Sequence, residues 1–208
     1  MKNRLLVCGV GINDSDYVVQ VKKDVQNNSG VRKQKVVWNC PFYQSWSGML
    51  KRCYSEKRLK RNPTYIGCSV SEEWKVFTNF RAWMVEQDWE GLQLDKDLLV
   101  NGNKVYSRET CVFVSNQVNI FLTERGNDRG EWPIGVNWDN GVKKFIARCS
   151  NPFTGKRDHL GYFLCYKEAH AAWLAKKLEH AHALAGIQKD TRVAIALIER
   201  YENYEDVK

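Results

Sequence analysis

Residues 93–119, QLDKDLLVNGNKVYSRETCVFVSNQVN, concentrate side chains whose types and spacing could do chemistry. Asp95 and Asp97 flank Lys96, Glu109 follows, and Asn116 and Asn119 close the span. Carboxylate and amide oxygens suit a hard divalent cation such as Mg2+ or Mn2+. Lys96, set between two carboxylates, reads as a phosphate contact or as half of an ion pair. The competing reading makes Asp95, Asp97 and Glu109 solvated carboxylates of an ordinary β-hairpin.

The rest of the chain must position these groups. Its 208 residues are enough for one large domain or two small ones. Lys and Arg total 32 against 24 Asp and Glu, a net charge of +8 that favours an anionic partner. Double-stranded DNA is the expected one, because clustered cations release counterions from its phosphates. No apolar run approaches the roughly 20 residues of a membrane span, and no membrane or small-molecule substrate is expected. The opening MKNRLLVCGVGIND is too short and too glycine-broken in its apolar part for a signal peptide. The seven cysteines are odd in number and form no CxxC pair. They read as reduced, buried thiols of a cytoplasmic protein, not as a disulfide framework. A zinc site would have to draw on Cys40, Cys53, Cys68 and Cys111, and zinc is not expected.

Short strands are predicted over residues 1–37, in LLVCGVG and DYVVQVKK, with turns at GIND and QNNSG. Phe42, Trp46, Met49, Leu50 and Cys53 form one apolar stripe and predict a helix that fades into the basic run KRLKRNP. That run is either a solvated helix end or a phosphate-contacting patch. A second helix is predicted from Ser71 to Gln87, capped by Ser69 or Ser71, with Trp74, Phe77, Phe80, Trp83 and Met84 as core. After the polar connector GNDRG at 126–130, WPIGVNWD, KKFIARCSN and DHLGYF predict three antiparallel strands with turns at DNG and NPFTGK. A long alanine-rich helix follows and stops at Gly186. Ala169, Ala171, Ala172 and Ala175 would let it lie close to the sheet. A last amphipathic helix over 189–204 offers Val193, Ile195, Ala196, Leu197 and Tyr201 for packing, and the histidines His159, His170, His180 and His182 read as surface residues.

The segment IGVNWDNGVKKFIARCSNPFTGKRDHLGYFLCYKEAHAAWLAKK resembles the DNA-binding domain of the Apetala-two/ethylene-response-factor family. The matching marks are Gly135-Val136, Lys144-Phe145-x-Ala147, Leu160-Gly161-x-Phe163 and Glu168-Ala169. The resemblance implies a sheet face that enters the DNA major groove. At the positions from which family members touch DNA, this chain has Asn137, Asp139, Arg148, Ser150, Arg157 and His159, with Lys143 and Lys144 for phosphates. Asn137, Asp139, Ser150 and His159 depart from the plant pattern, so base preference does not carry over.

The 93–119 span resembles the ββα-metal hairpin of HNH endonucleases. Leu94-Asp95 would end the first strand, Val112-Phe113-Val114 would be the second, and SNQVNIFL would open the helix. The resemblance implies metal ligands Asp95 and Asn119, with Asn116 as a substitute, for Mg2+ or Mn2+. Lys96 stands where the general-base histidine belongs and Thr110 where the central Asn belongs. With Tyr43-Gln-Ser-Trp46-Ser-Gly-Met49-Leu50-Lys-Arg52-Cys53-Tyr54, the marks resemble phage-borne HNH homing-endonuclease-like proteins. Asp95, Lys96 and Asn119 would then be the catalytic set of a DNA endonuclease or nickase. The alternative is an inactive relative that regulates by occupying DNA.

The expectation is an α+β fold. It comprises an N-terminal short-strand segment (1–37), a helix-rich domain with a ββα-metal-like hairpin (38–125), a three-stranded antiparallel sheet packed on a helix (126–186) and a C-terminal helix (187–208).

Overall fold

The fold is α+β, with small sheets set among helices. The computed structural model describes residues 6–26, 32–123 and 131–204. The predicted turn residues 27–30 and the 126–130 connector lie outside them. The chain divides into two compact units: residues 1–90 with 102–113, and residues 91–101 with 114–208.

In the first unit, the described part of LLVCGVG is a turn, not the predicted strand. Cys8 and Gly9 take φ of 54° and 78°, a left-handed conformation that ends extended chain, and only Val7 bridges Gly11. Two strands follow, β1 (Gln20–Gln26) and β2 (Arg32–Asn39), paired antiparallel as an isolated ribbon. Helix α1 (Pro41–Tyr54) starts on a proline, whose missing N–H has no partner in a first turn anyway. It buries Trp46, Met49, Leu50 and Cys53 of the predicted stripe, while Phe42 in its first turn is only half-buried. The basic run forms a separate short helix, α2 (Glu56–Arg61), with no buried residue. After β3 (Ser69–Val70), a single 3-10 turn at Glu73–Lys75 leads into α3 (Phe77–Val85), shorter than predicted.

Ser69 and Ser71 do not cap α3. Its N-cap position is Val76, which has no side-chain oxygen to offer, and the Thr78 N–H donates to Asp14 at 3.0 Å. A carboxylate at a helix N-terminus complements the dipole as well as the exposed N–H. Trp46, Trp74, Phe77 and Phe80 are fully buried, and the Trp46 indole N–H donates to the Trp74 carbonyl at 2.7 Å. The chain runs through β4 (Gln93–Asp95), which belongs to the second unit, and returns for β5 (Val105–Tyr106), parallel to β3.

Strand β6 (Val112–Val114) follows β5, and its last residue belongs to the second unit. Helix α4 (Asn116–Leu122) follows, with Ser115 accepting from the Val118 N–H at 3.1 Å as its N-cap. Then β7 (Val136–Asp139), β8 (Lys144–Ser150) and β9 (Arg157–Phe163) form one antiparallel sheet in that order. Helix α5 (Tyr166–Ala185) packs on one face of it, and α6 (Thr191–Glu202) packs on α5. Val136, Ala147 and Ala169 form the core of this contact, with Phe145, Phe163 and Tyr166 around them. Gly135, at φ 83°, is required there: a Cβ would sit 2.1 Å from Trp173 Cδ1.

Some predicted contacts change. Ala169 and Ala172 meet the sheet, whereas Ala171 and Ala175 are exposed, because four alanines spread over seven residues cannot share one face of a helix. Val193, Ala196, Leu197 and Tyr201 are buried, but Ile195 points outward at 56% exposure. His180 is buried at 4% exposure, not a surface residue. All seven cysteines are free thiols, five of them buried. Among the described residues, no helix is long and apolar enough to cross a membrane.

Candidate nucleic-acid interface

Residues alternate between the two faces of a strand, so register decides what each face carries. In β8, Phe145 and Ala147 point to the α5 side, which leaves Lys144, Ile146, Arg148 and Ser150 for the other. Phe145 pairs with Phe163 and Ala147 with Gly161, placing those two β9 residues on the α5 side. Simple alternation would then put His159 and Arg157 on that side too. A register shift after Ala147 prevents it: Arg148 pairs with His159, Cys149 with Asp158 and Ser150 with Arg157. Gly161 holds a φ of 127° at this irregularity, open to glycine alone at little cost.

The outward face therefore presents Arg148 beside His159 and Ser150 beside Arg157, all exposed. Directly opposite residues have Cβ atoms about 5 Å apart, so both arginines fall within one small patch. Asn137 lies on the same face opposite Ile146, and the Tyr162 ring sits 5.1 Å from the His159 ring. Lys144 pairs with Asp139 at the end of the sheet, and exposed Lys143 occupies the turn with φ 55°. Asp139 is committed locally: its carboxylate accepts the N–H groups of Gly141 and Val142 at 2.9 and 3.1 Å. Asp158 confirms the parity, since it points back toward α5, 3.3 Å from His180 Nε2.

The hairpin residues gather elsewhere in the same unit. Asp95 Oδ1 accepts the backbone N–H groups of Asp97 and Leu98 at 2.9 and 2.8 Å, closing a tight turn after β4. Burial, then the charge of Asp97, raises the Asp95 pKa above the usual carboxylate value. Lys96 is 6% exposed and its ammonium donates to Asp97 Oδ2 at 3.0 Å. Of the two roles expected for it, the ion pair is the one observed. Asn119 donates to Gln93 Oε1, and Gln93 donates in turn to Asn116 Oδ1 at 3.1 Å. Gln93 and Asp95 are two apart in β4 and share a strand face. Thr110, in the first unit, donates to the Val105 carbonyl at 2.8 Å.

Sequence reasoning overlooked Gln93, which ties β4 to α4. Its signal was available: Asn116 and Asn119 are three apart, the spacing that puts two side chains on one helix face. As donors for a hard cation, Asp95 and Asn119 fit in kind, being oxygen ligands on two elements joined by Gln93. Among the described residues, no three His, Cys, Asp or Glu side chains converge on one point. No family model, curated protein or solved structure matches the chain.

Proposed function

We propose that this chain binds double-stranded DNA, reading it with the outward face of β7–β9. One observation carries the proposal: the register shift in β9 turns Arg157 and His159 onto the face that already holds Arg148, Ser150 and Asn137. The face opposite the core thus concentrates planar cationic and amide groups suited to base edges, with Lys143 and Lys144 at its margin for phosphates. A sheet of this width enters a major groove about 12 Å across. The net charge of +8 adds the long-range attraction.

The hairpin supports binding better than cutting. Lys96 is engaged with Asp97, and no histidine, the general base that the resemblance calls for, occurs anywhere in residues 93–119. A second reading rests on the Asp95 carboxylate, which is crowded by Asp97 and shares a strand face with Gln93, the anchor of Asn119. Asp95 and Asn119 would hold Mg2+ or Mn2+, and the ion would supply charge stabilisation at a phosphate. Gln93 would fix the Asn119 amide, and Lys96 would hold Asp97 away from the ligand position.

The test is gel-shift binding to a duplex selected from a random pool, with Mg2+, with Mn2+ and with EDTA. Each arginine at a base edge contributes about 1–3 kcal/mol, so Arg148→Ala with Arg157→Ala should weaken binding by tenfold or more. Equal affinity of the double variant would overturn the sheet reading. Nicked duplex that disappears both in EDTA and in Asp95→Ala would establish the second reading.

A further inference from the structure

The first unit carries a basic surface that the sheet reading leaves unused. The β1–β2 ribbon is exposed on both faces, with every residue from Val21 to Gln26 and from Arg32 to Trp38 open to solvent. An isolated two-stranded hairpin is marginal in water, because each face needs a partner. Its register makes the difficulty worse. Lys23 stands directly opposite Lys35, and Val25 opposite Lys33, so three lysines share one face with Val21, Val25 and Trp38. Like charges directly opposite each other repel. Among the described residues, no acidic side chain forms an ion pair with Lys23, Lys33 or Lys35. The opposite face adds Lys22 and Arg32 against a single carboxylate, Asp24.

We propose that the β1–β2 ribbon is a second duplex-DNA-binding element, a basic arm whose Lys23, Lys33 and Lys35 face lies against phosphates. The inference rests on the DNA-binding reading and extends it to the other unit. Charge selects the occupant, since three convergent ammonium groups require a polyanion. Shape selects it further. Lys33 and Lys35 are two residues apart, about 6.8 Å along a strand, and a two-stranded ribbon is one of the few elements that the major groove admits. Trp38 and the valines supply apolar contact area beside the cations, and docking would offset the Lys23–Lys35 repulsion.

The experiment is lysine footprinting of the full wild-type chain. It is acetylated free, with a random-sequence 40-base-pair duplex, and with vesicles containing phosphatidylserine, and each lysine is read by mass spectrometry. The duplex is expected to protect Lys23, Lys33 and Lys35. In parallel, Lys23→Ala, Lys33→Ala and Lys35→Ala combined should flatten the salt dependence of duplex binding by about 1 in slope per lysine. The far-UV spectrum should stay unchanged, because these side chains are exposed. Duplex binding with the three lysines as reactive as in the free chain overturns the arm and leaves the sheet reading intact. Protection by vesicles and not by duplex overturns it in favour of a lipid surface. A wild-type chain that binds no duplex at low salt overturns both readings.

Discussion

The Lys177 ammonium donates to the Phe121 carbonyl at 2.6 Å and stands 3.7 Å from the centre of the Phe121 ring. Phe121 lies in the last turn of α4, where unsatisfied carbonyls gather negative partial charge, so the lysine acts as a cationic C-cap supplied by α5. Lys177 is only 7% exposed, and solvent screens the contact little. Lys177→Met keeps most of the side-chain volume and removes the donor. It should cost about 2 kcal/mol, the range for a buried hydrogen bond to a charged group, read as a lower urea midpoint. An unchanged midpoint would show that the cap contributes nothing.

Asp95→Asn should stabilise the protein at neutral pH. The amide oxygen can still accept from Asp97 and Leu98, while the crowding with Asp97 disappears. The folded Asp95 pKa is raised by burial and by Asp97, so folding favours its neutral form. That contribution is complete below the unfolded value of 3.8 and is lost as pH rises through the folded value. Urea midpoints at pH 7 should therefore be higher for the variant, and the two chains should converge in acid. A lower midpoint for Asp95→Asn at pH 7 would refute this account. Mg2+ that stabilises the wild type but not the variant would favour the metal reading.

His180 works in the opposite direction. Burial first, and the charge of Lys176 second, lower its pKa below 6.5, and nearby Asp158 does not reverse the shift. The Asp158 carboxylate lies 3.3 Å from Nε2 and favours the charged ring, but burial and Lys176 outweigh it. The neutral ring is therefore the folded form. Its stabilising contribution is full above 6.5 and is lost as pH falls through the lower folded value. Unfolding midpoints should drop on mild acidification, and His180→Gln should flatten that drop. Equal pH dependence in both proteins would remove His180 as its source.

Lys35→Glu should raise the stability of the ribbon while weakening duplex binding. A glutamate opposite Lys23 replaces repulsion by an exposed attractive pair, worth about 0.5 kcal/mol. Amide exchange at β1 and β2 is the measurement, and faster exchange in the variant would contradict the strain inferred for the cross-strand lysines.

Elements with a local signature were legible in the sequence. The α1 stripe, the β8 and β9 runs and the Gly186 stop of α5 all appear where spacing and turn residues placed them. Contacts between residues far apart in the chain were not legible. Asp14 caps α3 from 64 residues away, and Lys177 reaches Phe121 across 56. A histidine on a helix of alternating small and polar residues gives no hint of burial, and His180 was read as surface for that reason. Of the hairpin, the strand–strand–helix order was visible beforehand, while the burial that raises the Asp95 pKa was not. The Lys96 ion pair with Asp97 was one of two readings the sequence offered, and its geometry came only with the fold.

The shift after Ala147 also sets how the β7–β9 sheet can change over time. Arg157 and His159, an even number of residues before Gly161, face outward because β9 carries one residue more than strict alternation allows. Point substitutions at these positions would retune the surface gradually, one side chain at a time. Loss of a single codon at Leu160 would act in another way altogether. It would remove the irregularity and let β9 alternate without interruption, with Arg157 and His159 still outward and Asp158 still toward α5. The loss would fall on the core, which Leu160 packs against. At this position the outward face tolerates a change of length that the core does not.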